Sequence, residues 1–287
     1  DASGITSVEL ALPTALVRSA VLNHGSLQAA QQGAVALVGT SAYNAGIIRA
    51  NGGRISLVAA DSVSANLRDG SIAVTGAIQG GLNPIAVNNT GTLIADGGTI
   101  VLEGQAAPSV SGPTLVSTTG FLQAKGGSVR LTAIGGGLVA NGTIDVSPVV
   151  SGGPGGNVSI RTDGQASVGA TIKADGGSVS IDAAAIGLSG TVTADAVQLH
   201  ATDAKGAVSQ FGGALTTGSL SIDAVGHVVL GSASNAIASL GTSTVGGSVV
   251  LTTSAGLTQT GALAVAGTSS FSTSGTLSLG DAKNSFG

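Results

Sequence analysis

Seven residues are spaced so that a repeating structure could carry them side by side: Glu103, Thr132, Arg161, Asp182, His200, Asp223 and Thr252. Each directly follows the second residue of an alternating apolar pair: Ile100/Leu102, Val129/Leu131, Val158/Ile160, Val179/Ile181, Val197/Leu199, Leu220/Ile222 and Val249/Leu251. If these segments stack, Asp182, His200 and Asp223 become neighbours, with Arg161 beside Asp182. Carboxylates flanking an imidazole could move protons in polysaccharide hydrolysis. The same residue types also pair as opposite charges across strands, worth about 0–1 kcal/mol when exposed. A sugar site would add stacking aromatics, and here Tyr43, Phe121, Phe211, Phe271 and Phe286 are scattered. A charge ladder is therefore the expected reading, no residue is assigned a catalytic role, and a carbohydrate-active β-helix enzyme is the alternative.

Other candidate chemistry is thinner. A calcium site needs six or more oxygens, and the nonapeptide binder reads Gly-Gly-x-Gly-x-Asp. The nearest text, Gly152 to Asn157, ends in asparagine, while Asp175 and Asp195 offer only two carboxylates. No cofactor or metal is expected. Asn-x-Ser/Thr sequons at Asn88, Asn141 and Asn157 are about as many as chance places in a chain this rich in Ser and Thr. His24 and His227 stand alone and read as turn or surface residues. Regular Thr ladders of the ice-binding kind are not sustained by Thr191/Thr193 and Thr216/Thr217. Without cysteine there is neither disulfide nor thiolate chemistry.

The elements that must position the column are read from a repeat. In Asn44 to Asp61, NAGIIRANGGRISLVAAD, a short first arm (Gly46 to Ala50) precedes a tight turn, Asn51-Gly52-Gly53, and a second arm (Arg54 to Val58). The phrase returns at Asn89 to Leu102, Thr119 to Leu131 and Gly169 to Ile181. Aligned copies give inward first-arm residues Leu27, Ile48, Leu93, Leu122, Ile144, Ile172, Val192, Leu215 and Leu263. Small or β-branched partners follow two residues later, among them Ala50, Ala95, Ala124 and Ala174. Period two marks strands with one buried face. The turns Asn51-Gly52-Gly53, Asp96-Gly97-Gly98, Lys125-Gly126-Gly127, Pro154-Gly155-Gly156 and Asp175-Gly176-Gly177 supply glycine where φ must be positive.

Successive copies lie 21 (Leu27 to Ile48), 22 (Leu122 to Ile144), 20 (Ile172 to Val192) and 23 (Val192 to Leu215) residues apart. No helix intervenes, so a coil of roughly 20–23 residues supplies the crossover that parallel strands require. The fold class is all-β, a parallel β-helix of about 13 coils and about 60–65 Å. One domain spans 1–287: an irregular lead-in at 1–22, regular coils at 23–204, and uncharged Ser/Thr/Gly-rich coils at 205–287. Looser strands are expected at Gly70 to Val74 and Pro84 to Val87, and loops at Gln105 to Pro113 and Ser147 to Pro154.

With 48 glycines and 2% aromatic residues, the core must be a thin stack of aliphatic side chains. The hydrophobic fraction of 43% is too high for a disordered segment. A net charge of −4 and scattered Lys/Arg argue against nucleic acid as a partner. Between Asp223 and Asp281 there is no Asp, Glu, Lys or Arg. Soluble monomers guard exposed strands with charge, so this stretch predicts packing against a neighbour, and ends without capping sequence predict stacking within a longer rod.

The text VALVGTSAYNAGIIRANGGRISLVAAD (Val35 to Asp61) resembles the filamentous-haemagglutinin-type exoproteins of two-partner secretion, whose pattern is N-x-G-x-I-x-A-x-G-G-x-I-x-L-x-A. The likeness continues through Asn88 to Gly104 and Gly120 to Asp163, and covers about two thirds of the chain. It implies a right-handed β-helix exported through an outer-membrane β-barrel transporter and displayed as an adhesin or fibre. Expected partners are other copies, end to end or laterally, the transporter during export, and host or cell-surface glycans. The expected location is extracellular or the bacterial cell surface. The family's secretion module carries Asn-Pro-Asn, which only Asn83-Pro84-Ile85 approaches here, so the resemblance places this chain in the region after that module.

Overall fold

In the computed structural model, residues 7–11, 19–79, 85–107, 114–203 and 207–287 are described. Asn83, Pro84 and the loop centre at 108–113 lie outside them. Among the described residues every regular element is a strand. The strands form an 18-stranded sheet, an 11-stranded sheet and a three-stranded sheet. Each rung contributes first a strand to the 11-stranded sheet, then both arms to the 18-stranded one. Ser41–Asn44, Ile47–Arg49 and Arg54–Ala59 make one such rung, and Val87–Asn89, Thr92–Ile94 and Thr99–Gln105 lie on it.

Within both large sheets the pairing is parallel and in register. Leu93 sits between Ile48 and Leu122, Ile144 between Leu122 and Ile172, and Val192 between Ile172 and Leu215. All of these are buried, as are Ala50, Ala95, Ala124 and Ala174; Leu27, on the outermost rung, is half-buried against the same core. One continuous aliphatic cluster runs through the stack. The alternation therefore does what its period requires, lining the interior with every second side chain.

The two glycines of each turn do different work. Gly52, Gly97, Gly126 and Gly176 have φ of 66°, 70°, 64° and 70°, the left-handed region that L side chains avoid. Their successors form a column of close approach. A Cβ on Gly53 would strike the Gly33 carbonyl oxygen, one on Gly98 that of Gly53, and so on through Gly127, Gly156 and Gly177. The turn at Pro154-Gly155-Gly156 departs from expectation. There the positive φ falls on Gly152, at 78°, inside the inserted loop, and Gly155 instead lies against the Asp175 carbonyl.

Four further differences from the sequence reading have physical causes. The 11-stranded sheet makes eleven rungs, fewer than thirteen, in part because Ser62 to Gly76 leaves the stack, which the chain rejoins at Ile78, bridged in parallel to Ala106. That segment is an antiparallel hairpin, Ser62–Asn66 with Ile72–Gly76. Its turn includes Gly70, expected in a strand, at φ 65°, and hydrogen bonds from Ser71 hold the Asp69 carboxyl below its ordinary value. Second, strands form within the lead-in: Ser7–Ala11 pairs antiparallel with Ser62–Asn66, and Ala20–Asn23 already lies on the stack. Third, the hairpin covers the outer side of the coils, where Val58, Ala60 and Val63 bury with Val38, Ile72 and Val74. Both faces of Arg54–Ala59 are consequently buried, and Ser56 Oγ and Arg54 Nε have no hydrogen-bond partner.

The fourth difference is a change of face near the C-terminus. Val249/Leu251, which read as a second arm, stack on Val228 and Leu230 in the 11-stranded sheet. Leu263 stacks on Ser243, in line with the second arm and not with Leu215. The strand Ala214–Ala224 is followed by two strands, Ala236–Leu240 and Ser243–Val245, which share its next rung. Gly246-Gly247-Ser248 copies the Gly-Gly-Ser turn that precedes a second arm at Val129 and Val179, so the V-x-L pair after it reads as one although it lies on the other sheet.

Gly97→Ala introduces strain but meets open space, and should cost about 1–2 kcal/mol. Gly98→Ala forces two backbones apart and should cost more than about 3 kcal/mol. Urea unfolding of both variants orders the two; equal losses would show that the rungs do not meet at the second glycine.

Candidate functional site

The charged column forms because the residue after each second inward position points outward. Register pairing places Glu103 on Thr132, Thr132 on Arg161, Arg161 on Asp182, Asp182 on His200 and His200 on Asp223. The next member is Thr244, not Thr252, which the change of face carries to the 11-stranded sheet opposite Ser272. Towards the N-terminus the column continues into Val58 and Val38, beneath the hairpin.

His200 is the centre of the column. Its Nδ1 lies 3.1 Å from Asp182 Oδ1 and its Nε2 lies 3.6 Å from Asp223 Oδ2. Arg161 Nε stands 4.0 Å from Asp182 Oδ2, with the two side chains 64% and 41% exposed. A neutral imidazole carries one N–H, so only the protonated ring can donate to both carboxylates at once. Asp182 and Asp223 are two rungs apart, about 9–10 Å at ~4.8 Å per rung. That exceeds the ~5–5.5 Å of retaining glycosidase pairs and reaches the upper limit of the ~6.5–9.5 Å range for inverting ones. The arrangement can neutralise charge along a strand face and present a guanidinium, two carboxylates and an imidazole to solvent.

Three further carboxylates tie neighbouring rungs together at turns. Asp195 Oδ1 accepts the Gly176 N–H at 3.0 Å, and Asp163 Oδ2 accepts that of Gly135 at 3.1 Å. Asp96 takes the Lys125 N–H at 2.9 Å and the Gln123 amide at 2.8 Å. Among the described residues no group of three or more His, Asp or Glu side chains converges as a metal site. His227 is engaged with the next rung, its Nδ1 accepting the Ser248 N–H at 2.9 Å. His24 is exposed beside the Tyr43 ring, centroids 5.7 Å apart. Of the sequon asparagines, Asn88 is half-buried and Asn141 and Asn157 are exposed.

A second polar column lies inside the corner before the first arm, and residue-type reasoning did not single it out. Asn23 donates to Asn44 Oδ1 at 2.7 Å, Asn44 to Asn89 Oδ1 at 2.8 Å, and Asn89 to Thr118 Oγ1 at 3.2 Å. Each also donates to the carbonyl of the glycine two residues on, Gly25, Gly46 or Gly91. Asn44 and Asn89 are fully buried. The visible signal was the recurring Asn-x-Gly text; its two donated bonds per amide appear only when rungs superpose. Further along, Gln210 pairs with Asn235 and Gln259 with Asn284.

A family model described as "Repeats of unknown function (DUF5649)" matches residues 228–287. No curated protein and no solved structure matches the chain.

Asn44→Ala orphans the Asn23 amide and the Asn89 carbonyl in a dry corner, and should cost about 2–4 kcal/mol in denaturant unfolding. A double-mutant cycle with Asp182→Ala and His200→Ala should give a coupling of only about 0–1 kcal/mol, reduced by salt. Coupling well above that, insensitive to salt, would mark the column as more than an exposed ladder.

Proposed function

We propose that this chain is a rigid segment of a secreted or cell-surface rod, working as an adhesin shaft or as the subunit of an extracellular fibre. On this reading the stack is a right-handed parallel β-helix of roughly 20–23 residues per coil. Right-handed crossovers are the rule when one strand is followed by a parallel neighbour in the same sheet. The resemblance to two-partner-secretion exoproteins supports export through an outer-membrane β-barrel and a bacterial surface location.

The single observation that carries the proposal is the in-register parallel stack with a long uncharged flank. Hydrogen bonds along the axis resist bending and stretching, while no Asp, Glu, Lys or Arg between Ala224 and Gly280 repels a neighbour. Outward Val229 and Val250 lie on adjacent rungs of the 11-stranded sheet and are 41% and 39% exposed. Such a surface suits lateral or end-to-end contact with other copies, and the charged flank further back suits polar partners such as glycans.

Electron microscopy and sedimentation of the purified protein test this. Rods that lengthen or bundle with concentration are expected, and introducing Lys at Val229 and Val250 should suppress bundling severalfold. Short dispersed monomers at high concentration would remove the fibre reading. Cleavage of a polysaccharide that is lost in Asp182→Ala would replace it with an enzymatic one.

A further inference from the structure

The C-terminal coils contain a longer repeat than the coil itself. Leu230-Gly231-Ser232-Ala233-Ser234-Asn235 returns as Leu279-Gly280-Asp281-Ala282-Lys283-Asn284, 49 residues on (Asn235 to Asn284). Gln210, followed by Gly213-Ala214-Leu215, returns as Gln259, again 49 residues on, followed by Gly261-Ala262-Leu263, 48 residues on because that corner is one residue shorter. The glutamine and asparagine are 25 residues apart in both copies.

The two copies make the same bonds. Gln210 and Asn235 exchange amide hydrogen bonds at 2.8 Å in both directions, and Gln259 and Asn284 form the same reciprocal pair. The asparagine Oδ1 also accepts the N–H of Leu215 at 2.8 Å in one copy and of Leu263 at 2.9 Å in the other. Its Nδ2 donates to the carbonyl of Leu230 or Leu279. The glutamine Oε1 receives the N–H of Ser232 or Asp281. Each lock thus closes one corner and ties it to the rung before.

The copies do not occupy the same side of the rod. Gln210 lies in the 11-stranded sheet, paired with Leu188. Gln259 lies one face further round, paired with Leu240 in the 18-stranded sheet. Rungs here are 20–21 residues apart, as Val208, Val228, Val249 and Ser269 superpose. A period of 49 is two such rungs plus one face.

We infer that the segment matched by the repeats of unknown function belongs to a 49-residue stacking module. Its reciprocal Gln–Asn pair locks each corner in turn, and its partner is the preceding copy of the same module, one face back. The module's function is to extend the rod while turning its equivalent side chains around the axis. The inference stands on these bonds and this register, and it holds whether or not the rod is a surface adhesin.

Two excisions from the full chain test it. Removing Val208–Gly256 deletes one 49-residue period and sets Leu257 and Gln259 where Val208 and Gln210 stood, with Leu263 reaching the place of Leu215 through a corner one residue shorter. Removing Val208–Ser248 deletes two whole rungs and leaves every later residue on its own face. If the module is the stacking unit, both variants melt cooperatively and the Leu263 amide keeps its hydrogen-exchange protection within about tenfold. Gln259→Ala in the intact chain should speed that exchange at least tenfold. Loss of Leu263 protection in the 49-residue excision alone would show that each residue fits only its own face, and overturn the module. Loss in both would overturn it too, since stackable modules must leave the rungs beneath intact. An unchanged exchange rate in Gln259→Ala would remove the lock.

Discussion

Everything in this molecule depends on parallel strands meeting in register along one axis. Each interior rung hydrogen-bonds to the rungs before and after it, so its position is fixed from both sides. A slip of one residue would turn Ile48, Leu93 and Leu122 outward together, and the column of buried aliphatic side chains would be lost. The corner glycines enforce the same register from the backbone: Gly53, Gly98 and Gly127 lie so close that no side chain fits between rungs. Because every residue of a rung is constrained by its counterparts, polar groups also arrive in columns, whether or not they have a chemical task.

Those columns sort by environment. Inside the corners, the amides of Asn23, Asn44 and Asn89 are useful because each supplies two donors and an acceptor, enough to satisfy a glycine carbonyl and the next amide. Outside, Arg161, Asp182, His200 and Asp223 compensate one another in contact with water. At the turns, Asp96, Asp163 and Asp195 accept backbone N–H groups of neighbouring rungs. Asp96, Asp163, Asp182 and Asp195 thereby tie neighbouring coils together, which supports the mechanical proposal. The hairpin at Ser62–Gly76 is the exception to the stack among the described residues, and on the strand it covers the buried Ser56 hydroxyl finds no partner.

The regular coils were legible because two signals coincide in them. Period-two alternation and the Gly-Gly turn mark the same positions between Asn44 and Ile181, with an Asn-x-Gly corner added at Asn44 and Asn89, so Ile48, Leu93, Leu122 and Ile172 were assignable without coordinates. After Ala204 the Gly-Gly pair no longer marks the turn between the arms: Gly246-Gly247 leads into the 11-stranded sheet. Val249/Leu251 then looks like a second arm although it lies on the other sheet, and Thr252 is drawn into a column that in fact continues through Thr244. The hairpin was illegible for a related reason: Val63, Ile72 and Val74 alternate like any other strand, and alternation alone does not say whether the partner is parallel or antiparallel.

By itself, then, the sequence determined the fold class, the inward residues of the marked coils and the absence of charge along the C-terminal flank, because composition and spacing are local quantities that survive without a third dimension. Only the tertiary structure decided which residues share a rung. That assignment rests on the number of residues spent at each corner, and a shift of one face there changes every neighbour while leaving the local text the same. The asparagine ladder, the His200 contacts and the paired Gln–Asn locks all join residues from different coils, and they exist only once the stacking has set which coil lies against which.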